Sequence, residues 1–107
     1  MDIITRTEEI LLLSVWRLQE EAYGLAIRKH AIRLMEKKLS VSAVYIPLER
    51  LKKRGFLTSW ESEPTDKRGG RRKRFYKLTP EGLRALQKVK TLHEKAWAEL
   101  PDLAFSR

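Results

Sequence analysis

Residues 50–77 hold eleven lysines and arginines against three acids, and Pro64 and the pair Gly69-Gly70 interrupt the run. Such a segment resists burial, because an ion removed from water without a partner costs several kcal/mol. It must project from whatever core its flanks build. Proline and glycine mark a turn over residues 64–70. On either side, residues 56–63 read as an outgoing strand and residues 73–78 as a returning one, with Tyr76 and Leu78 inward. The predicted hairpin therefore has a long, basic, glycine-bearing tip. Its segment carries +8 of the net charge of +9, and the other 79 residues, with twelve bases and eleven acids, are close to neutral. Charge serving solubility alone would be dispersed; charge gathered in one segment implies a polyanionic partner. The competing reading is a solvated charge run in a loop.

The flanking segments read as helices. Thr5-Arg6-Thr7-Glu8 fits a capping box, in which hydroxyl and carboxylate bond each other's backbone amides. The helix it opens is predicted to run to about residue 21. Leu11, Val15, Leu18 and Ala22 share one face at helical spacing, while Ile10, Leu13 and Trp16 point elsewhere. A helix apolar most of the way round needs a second cover, and in a chain of 107 residues that implies another subunit. After a break at Ala22-Tyr23-Gly24, a second helix to about residue 37 is expected to bury Tyr23, Ile27, Ala31 and Leu34. Leu39-Ser40-Val41 reads as a stub of strand. Ser42 is expected to cap a third helix, with Val44, Leu48 and Leu51 on its core face and Gly55 as its left-handed stop. Pro47 is awkward there, since an interior proline costs about 3 kcal/mol. The spacing leaves two resolutions: the helix starts later than Ser42, or its first turn is bent.

Thr79-Pro80-Glu81 opens a fourth helix, with a hydroxyl at the N-cap, proline at the first helical position and a carboxylate near the positive end. It is expected to continue to about residue 100. Leu86, Val89, His93, Ala96 and Leu100 recur at alternating steps of three and four, the seam spacing of paired helices. Two heptads are too few to pair alone, so helix 1 is expected to contribute. The expected dimer interface is thus Ile10, Leu13, Trp16, Val89, His93, Ala96, Trp97 and Leu100, with Leu83 and Leu86 left to the chain's own domain.

Three helices, a two-stranded hairpin and a further helix make a mainly α fold with a small β-hairpin. That is the order of a winged helix-turn-helix followed by a C-terminal dimerisation helix. The expected division is residues 1–80 for DNA binding and 81–107 for dimerisation, within one compact domain. Helix 3 is the candidate for the major groove, where base pairs show distinguishable donor and acceptor patterns. Its core stripe leaves Ala43, Ile46, Arg50 and Lys53 outward and Tyr45 at the boundary. Arg50 can reach a guanine edge or a phosphate, and Lys53 suits phosphate; the pull of cations to a helix C-terminus explains both without DNA. In Lys67-Arg68-Gly69-Gly70-Arg71-Arg72-Lys73-Arg74, glycines allow close backbone approach and arginines supply charge-assisted bonds to phosphate. An arginine at such a tip can also enter a narrow minor groove.

Taken together, Ser42-Ala43-Val44-Tyr45, Leu48-Glu49-Arg50-Leu51, Arg54-Gly55-Phe56-Leu57, Arg68-Gly69-Gly70-Arg71 and Arg74-Phe75-Tyr76-Lys77-Leu78-Thr79-Pro80-Glu81-Gly82 resemble the PadR family of transcriptional regulators. The resemblance runs from about Leu11 to Leu86, and Tyr23-Gly24 is similar to the family's helix 2 start. It implies a dimeric bacterial repressor of a two-fold operator. DNA contacts would come from helix 3 (Ser42, Ala43, Tyr45, Ile46, Arg50, Lys53) and the wing, and dimer contacts from the last helix. Some PadR-like dimers hold flat aromatic ligands in an interface pore, which makes Trp16 and Trp97 candidate effector contacts. One departure stands out: the proline frequent directly after the helix 3 tyrosine is displaced here to Pro47, leaving open the angle of Ala43 and Tyr45 toward DNA.

Other classes find little support. There is no cysteine for a disulfide or a thiolate metal site, and His30 and His93 are isolated, so neither metal nor cofactor is expected. No paired carboxylates, P-loop or nucleophile beside a base point to an enzyme. No apolar run approaches the roughly 18 residues of a membrane span, and Met1-Asp2-Ile3-Ile4 lacks a basic leader, so a cytoplasmic protein is expected. The remaining rivals are a non-sequence-specific RNA- or DNA-binding module and an interaction module whose hairpin meets an acidic protein.

Overall fold

In the computed structural model, which describes residues 4–63 and 72–101, the order is α1 (Arg6–Leu18), a 3-10 turn (Gln19–Glu21), α2 (Gly24–Met35), α3 (Val41–Lys53), β1 (Leu57–Glu61), β2 (Arg74–Leu78) and α4 (Pro80–Ala98). The strands pair antiparallel, with Leu57 opposite Leu78 and Glu61 opposite Arg74. Ser62 and Lys73 extend the pairing by one step, Ser62 N donating to Lys73 O at 2.8 Å. This is the expected mainly α architecture with a small hairpin. None of the described helices is long and apolar enough to cross a membrane.

The caps explain most boundaries. Thr5 and Glu8 form the reciprocal capping box: Glu8 N donates to Thr5 Oγ1 at 3.0 Å and Thr5 N to Glu8 Oε1 at 2.8 Å. α1 stops at Leu18, earlier than expected, because Gln19 takes φ 53° and its side-chain amide donates to Trp16 O at 2.6 Å. α3 begins at Val41, so the expected strand over Leu39-Ser40-Val41 is replaced by a cap: Ser40, not Ser42, accepts from the amide of Ala43 at 3.1 Å. Pro47 is consequently interior, and the later start offered by the sequence does not occur. The helix starts earlier, and proline removes the amide that would reach Ala43 O. α3 ends in a Schellman pair, Phe56 N to Leu51 O at 2.9 Å and Gly55 N to Lys52 O at 3.0 Å, around Gly55 at φ 87°.

The core gathers Leu11, Leu12 and Val15 of α1, Ile27 and Ala31 of α2, Val44, Leu48 and Leu51 of α3, and Phe56, Leu57, Tyr76 and Leu86. The α2 stripe is turned from the expected one. Ile27 and Ala31 continue to the partly buried Met35, whereas Leu34 is 49% exposed, since the i, i+4 row and not the i+7 position faces the core. Between α1 and α2, Ser14 Oγ donates to Ile10 O at 2.8 Å and lies 2.7 Å from His30 Nδ1. The hydroxyl proton is thus committed, and the ring's Nδ1–H is the donor. Burial, and after it the charges of Arg33 and Arg17, hold His30 below its ordinary pKa and keep it neutral.

α4 is fixed to the end of α3. Thr79 Oγ1 donates to Gly55 O at 2.6 Å and accepts from Gly82 N at 3.0 Å, while Thr79 N donates to Phe56 O at 3.1 Å. The backbone of Gly82 then lies so near Phe56 O that a methyl group there would overlap it.

Candidate nucleic-acid interface

The outer face of α3 presents Ser42, Ile46, Arg50 and Lys53 to solvent. Two expected members of that face behave differently. Ala43 is partly buried and packs on the core. Tyr45 lies with its ring against Gly24, where any β-carbon would collide with the phenol. The contact explains why glycine follows Tyr23, and it braces α2 against α3. Arg28, at the other side of the turn, donates from Nε to Leu39 O at 2.9 Å and pins the α2–α3 connection.

The wing has two chemically distinct faces, because paired residues on antiparallel strands share a side and alternate along the strand. One face is ionic and meets α3. Tyr76, 1% exposed, donates its hydroxyl to Glu49 Oε2 at 2.8 Å. Arg74 lies 3.6 Å from the same Glu49 oxygen and 3.1 Å from Glu61 Oε2, and Lys52 Nζ is 3.9 Å from Glu49 Oε1. Arg72 approaches Glu61 at 3.7 Å. Burial first, then the bond and charge of Glu49, keep the Tyr76 phenol protonated far above the usual range. The other face is aromatic. Trp60 stacks on Phe75 with ring centroids 5.8 Å apart, Phe75 meets Tyr23 at 5.6 Å, and Lys73 Nζ lies 4.3 Å over the Tyr23 ring.

Of the sequence-predicted wing cations, Arg72, Lys73 and Arg74 thus have intramolecular partners; Lys67, Arg68 and Arg71 lie outside the described residues. Glu49, Glu61 and Trp60 were not foreseen. An acid in a basic segment reads as incidental until the hairpin register brings Glu49 beneath Tyr76 and Arg74. Because the Tyr76–Glu49 bond joins a buried phenol to a carboxylate, Tyr76→Phe is expected to lower stability by about 1–2 kcal/mol, with the half-exposed acceptor at the low end of charged hydrogen bonds. Urea denaturation measures it, and an unchanged midpoint would show that the bond contributes nothing net.

The expected dimer residues divide. Ile10 and Val89 are partly buried against the chain's own core, whereas Leu13, Trp16, Trp97 and Leu100 are exposed, as is Leu92. Ala96 is exposed on α4. His93 Nε2, screened from solvent and without a hydrogen-bond partner, lies 3.5 Å from Glu9 Oε1, a loose contact across α1 and α4. Glu9, Leu13, Trp16, Leu86 and His93 line an open groove of about 430 Å³ between these helices. Trp16 also borders a second hollow, and neither includes Trp97. Among the described residues no three His, Asp or Glu side chains cluster as a metal site.

The profile described as the transcriptional regulator PadR-like family matches residues 12–88. A PadR family transcriptional regulator from Eggerthella lenta superposes with a TM-score of 0.68 at 24% identity, over 92% of this chain and 83% of the other. A PadR family transcription regulator from Clostridium difficile gives 0.65 at 26% identity, over 85% and 91%. A transcriptional regulator from Clostridium thermocellum gives 0.65 at 23%, over 94% and 100%. The curated proteins offer no match to the sequence.

Proposed function

The chain belongs to the PadR-like family of transcriptional regulators, and on that premise we propose that it is a sequence-specific DNA-binding repressor, acting as a homodimer on a two-fold operator in a bacterial cytoplasm. The observation that carries this reading is the juxtaposition of the solvent-facing side of α3 with the wing, joined through Glu49, Tyr76 and Arg74. A helix and a hairpin held at one fixed angle can enter a major groove and straddle the adjacent backbone together. Arg50 and Lys53, which form no ion pair with any described residue, are free to meet base edges or phosphates. Ser42 and Ile46 lie beside them at the front of the helix. Lys67, Arg68, Arg71, Arg72, Lys73 and Arg74 supply the wing's charge, with Arg74 acting chiefly on the scaffold because two carboxylates hold it.

The dimer reading rests on the apolar side chains left along α1 and the end of α4, where Leu13, Trp16, Trp97 and, just beyond the helix, Leu100 are exposed. Grouped exposed apolar side chains of this kind mark association surfaces.

Arg50→Ala tests sequence reading directly. If its guanidinium pairs with a guanine edge, the variant loses about 1–3 kcal/mol on the preferred site and less on sites changed at that base pair. Binding measured across a randomised duplex library shows this as a relaxed preference at one position per half-site. Equal loss on every duplex would assign Arg50 to the phosphate backbone and favour a non-specific nucleic-acid module.

A further inference from the structure

A hollow of about 290 Å³ lies between the end of α1 and the aromatic face of the wing, lined by Trp16, Gln19, Glu20, Trp60, Lys77 and Leu78. Its two tryptophans are both 48% exposed. Trp60 is held by its stack on Phe75. Trp16 sits at the turn where the Gln19 side-chain amide grips its carbonyl. Indole walls offer flat apolar faces to a planar ring. At the rim stand one acid, Glu20, and one base, Lys77, and neither forms an ion pair with any described residue.

We propose that this hollow is a binding site for a small aromatic zwitterion, of the aromatic α-amino acid class. The ring lies against the indoles, the ammonium meets Glu20 and the carboxylate meets Lys77. The volume sits at the foot of the range of about 300–1,000 Å³ for ligand sites, which favours a single ring with a short polar tail over a multi-ring compound. The mixed charge selects against ligands carrying one sign only, because these leave one rim group without a partner. The site shares Trp16 with the α1–α4 groove but draws its second indole, Trp60, from the wing.

L-phenylalanine, phenethylamine and phenylacetate, titrated separately into the free protein, test the proposal. Tryptophan emission, excited where phenylalanine does not absorb, reports binding. Phenylalanine is expected to bind most tightly, with each single-charge analogue weaker by about threefold, as suits exposed ion pairs. Trp60→Leu should weaken phenylalanine by about tenfold, with circular dichroism confirming the fold. Lys77→Gln and Glu20→Gln, at surface positions that spare the core, should erase the gaps between phenylalanine and phenethylamine and between phenylalanine and phenylacetate, respectively. The proposal is overturned by no saturable response at millimolar ligand, by equal affinity for all three compounds, or by loss of binding in Trp97→Leu but not in Trp60→Leu.

Discussion

Gly82→Ala is expected to destabilise the protein by about 2–3 kcal/mol, although helix propensity alone argues for a gain of about 1 kcal/mol. The added methyl would overlap Phe56 O and approach Leu78 Cδ1 at 2.9 Å. A side chain could turn aside, but Phe56 O is backbone and already accepts from Thr79 N. Relief therefore requires α4 to lift from the α3–β1 corner, which would break the Thr79 bonds to Gly55 and Phe56 as well. In a domain of this size the shift corresponds to a fall in Tm of about 10–20 °C. Calorimetry gives the answer, and a Tm within a few degrees of the parent would mean that the corner relaxes without cost.

Arg71→Ala combined with Arg72→Ala is expected to weaken binding to any duplex by about 10- to 100-fold at moderate salt. It should also reduce the slope of log affinity against log salt by about two, roughly one per lost phosphate contact. Arg74 is kept, since its removal would also take a cation from both Glu49 and Glu61 and disturb the α3–wing joint. Specific and non-specific duplexes should lose affinity together, because backbone contacts carry no sequence. A salt slope unchanged in the double variant would take the wing off the phosphates.

The locally encoded features were legible in the sequence. Thr5 with Glu8, Gly55 after α3, and Thr79-Pro80 before α4 each act within one turn of the backbone, and each stands where the residue pattern put it. Where two local signals competed, the pattern misled. Ser40 and Ser42 both suit a cap, and Ser40 prevails although that places Pro47 inside the helix. Leu34 shows a second limit: an apolar residue at i+7 need not be buried when i+8 closes the row.

The site divides along the same line. Ile46, Arg50 and Lys53 were read from the periodicity of one helix and are exposed, whereas Ala43, read with them, is partly buried and Ser42, expected as the cap, is exposed beside them. Glu49 with Tyr76 and Arg74, and Trp16 with Trp60, depend on strand register and on how helices meet the hairpin. No spacing within a single element encodes those. Tyr45 shows how a residue resembling a contact position acquires a packing duty once its ring is seen against Gly24.

The clasp of Thr79 on Gly55 and Phe56 leaves no hinge between the last helix and the element proposed to read bases. Any symmetric pair built through α4 would therefore carry its two reading heads at a set separation, like the points of a locked caliper. Inserting one base pair between half-sites moves the far target by about 3.4 Å and about a tenth of a turn, a displacement such an assembly would have to absorb by deforming the DNA.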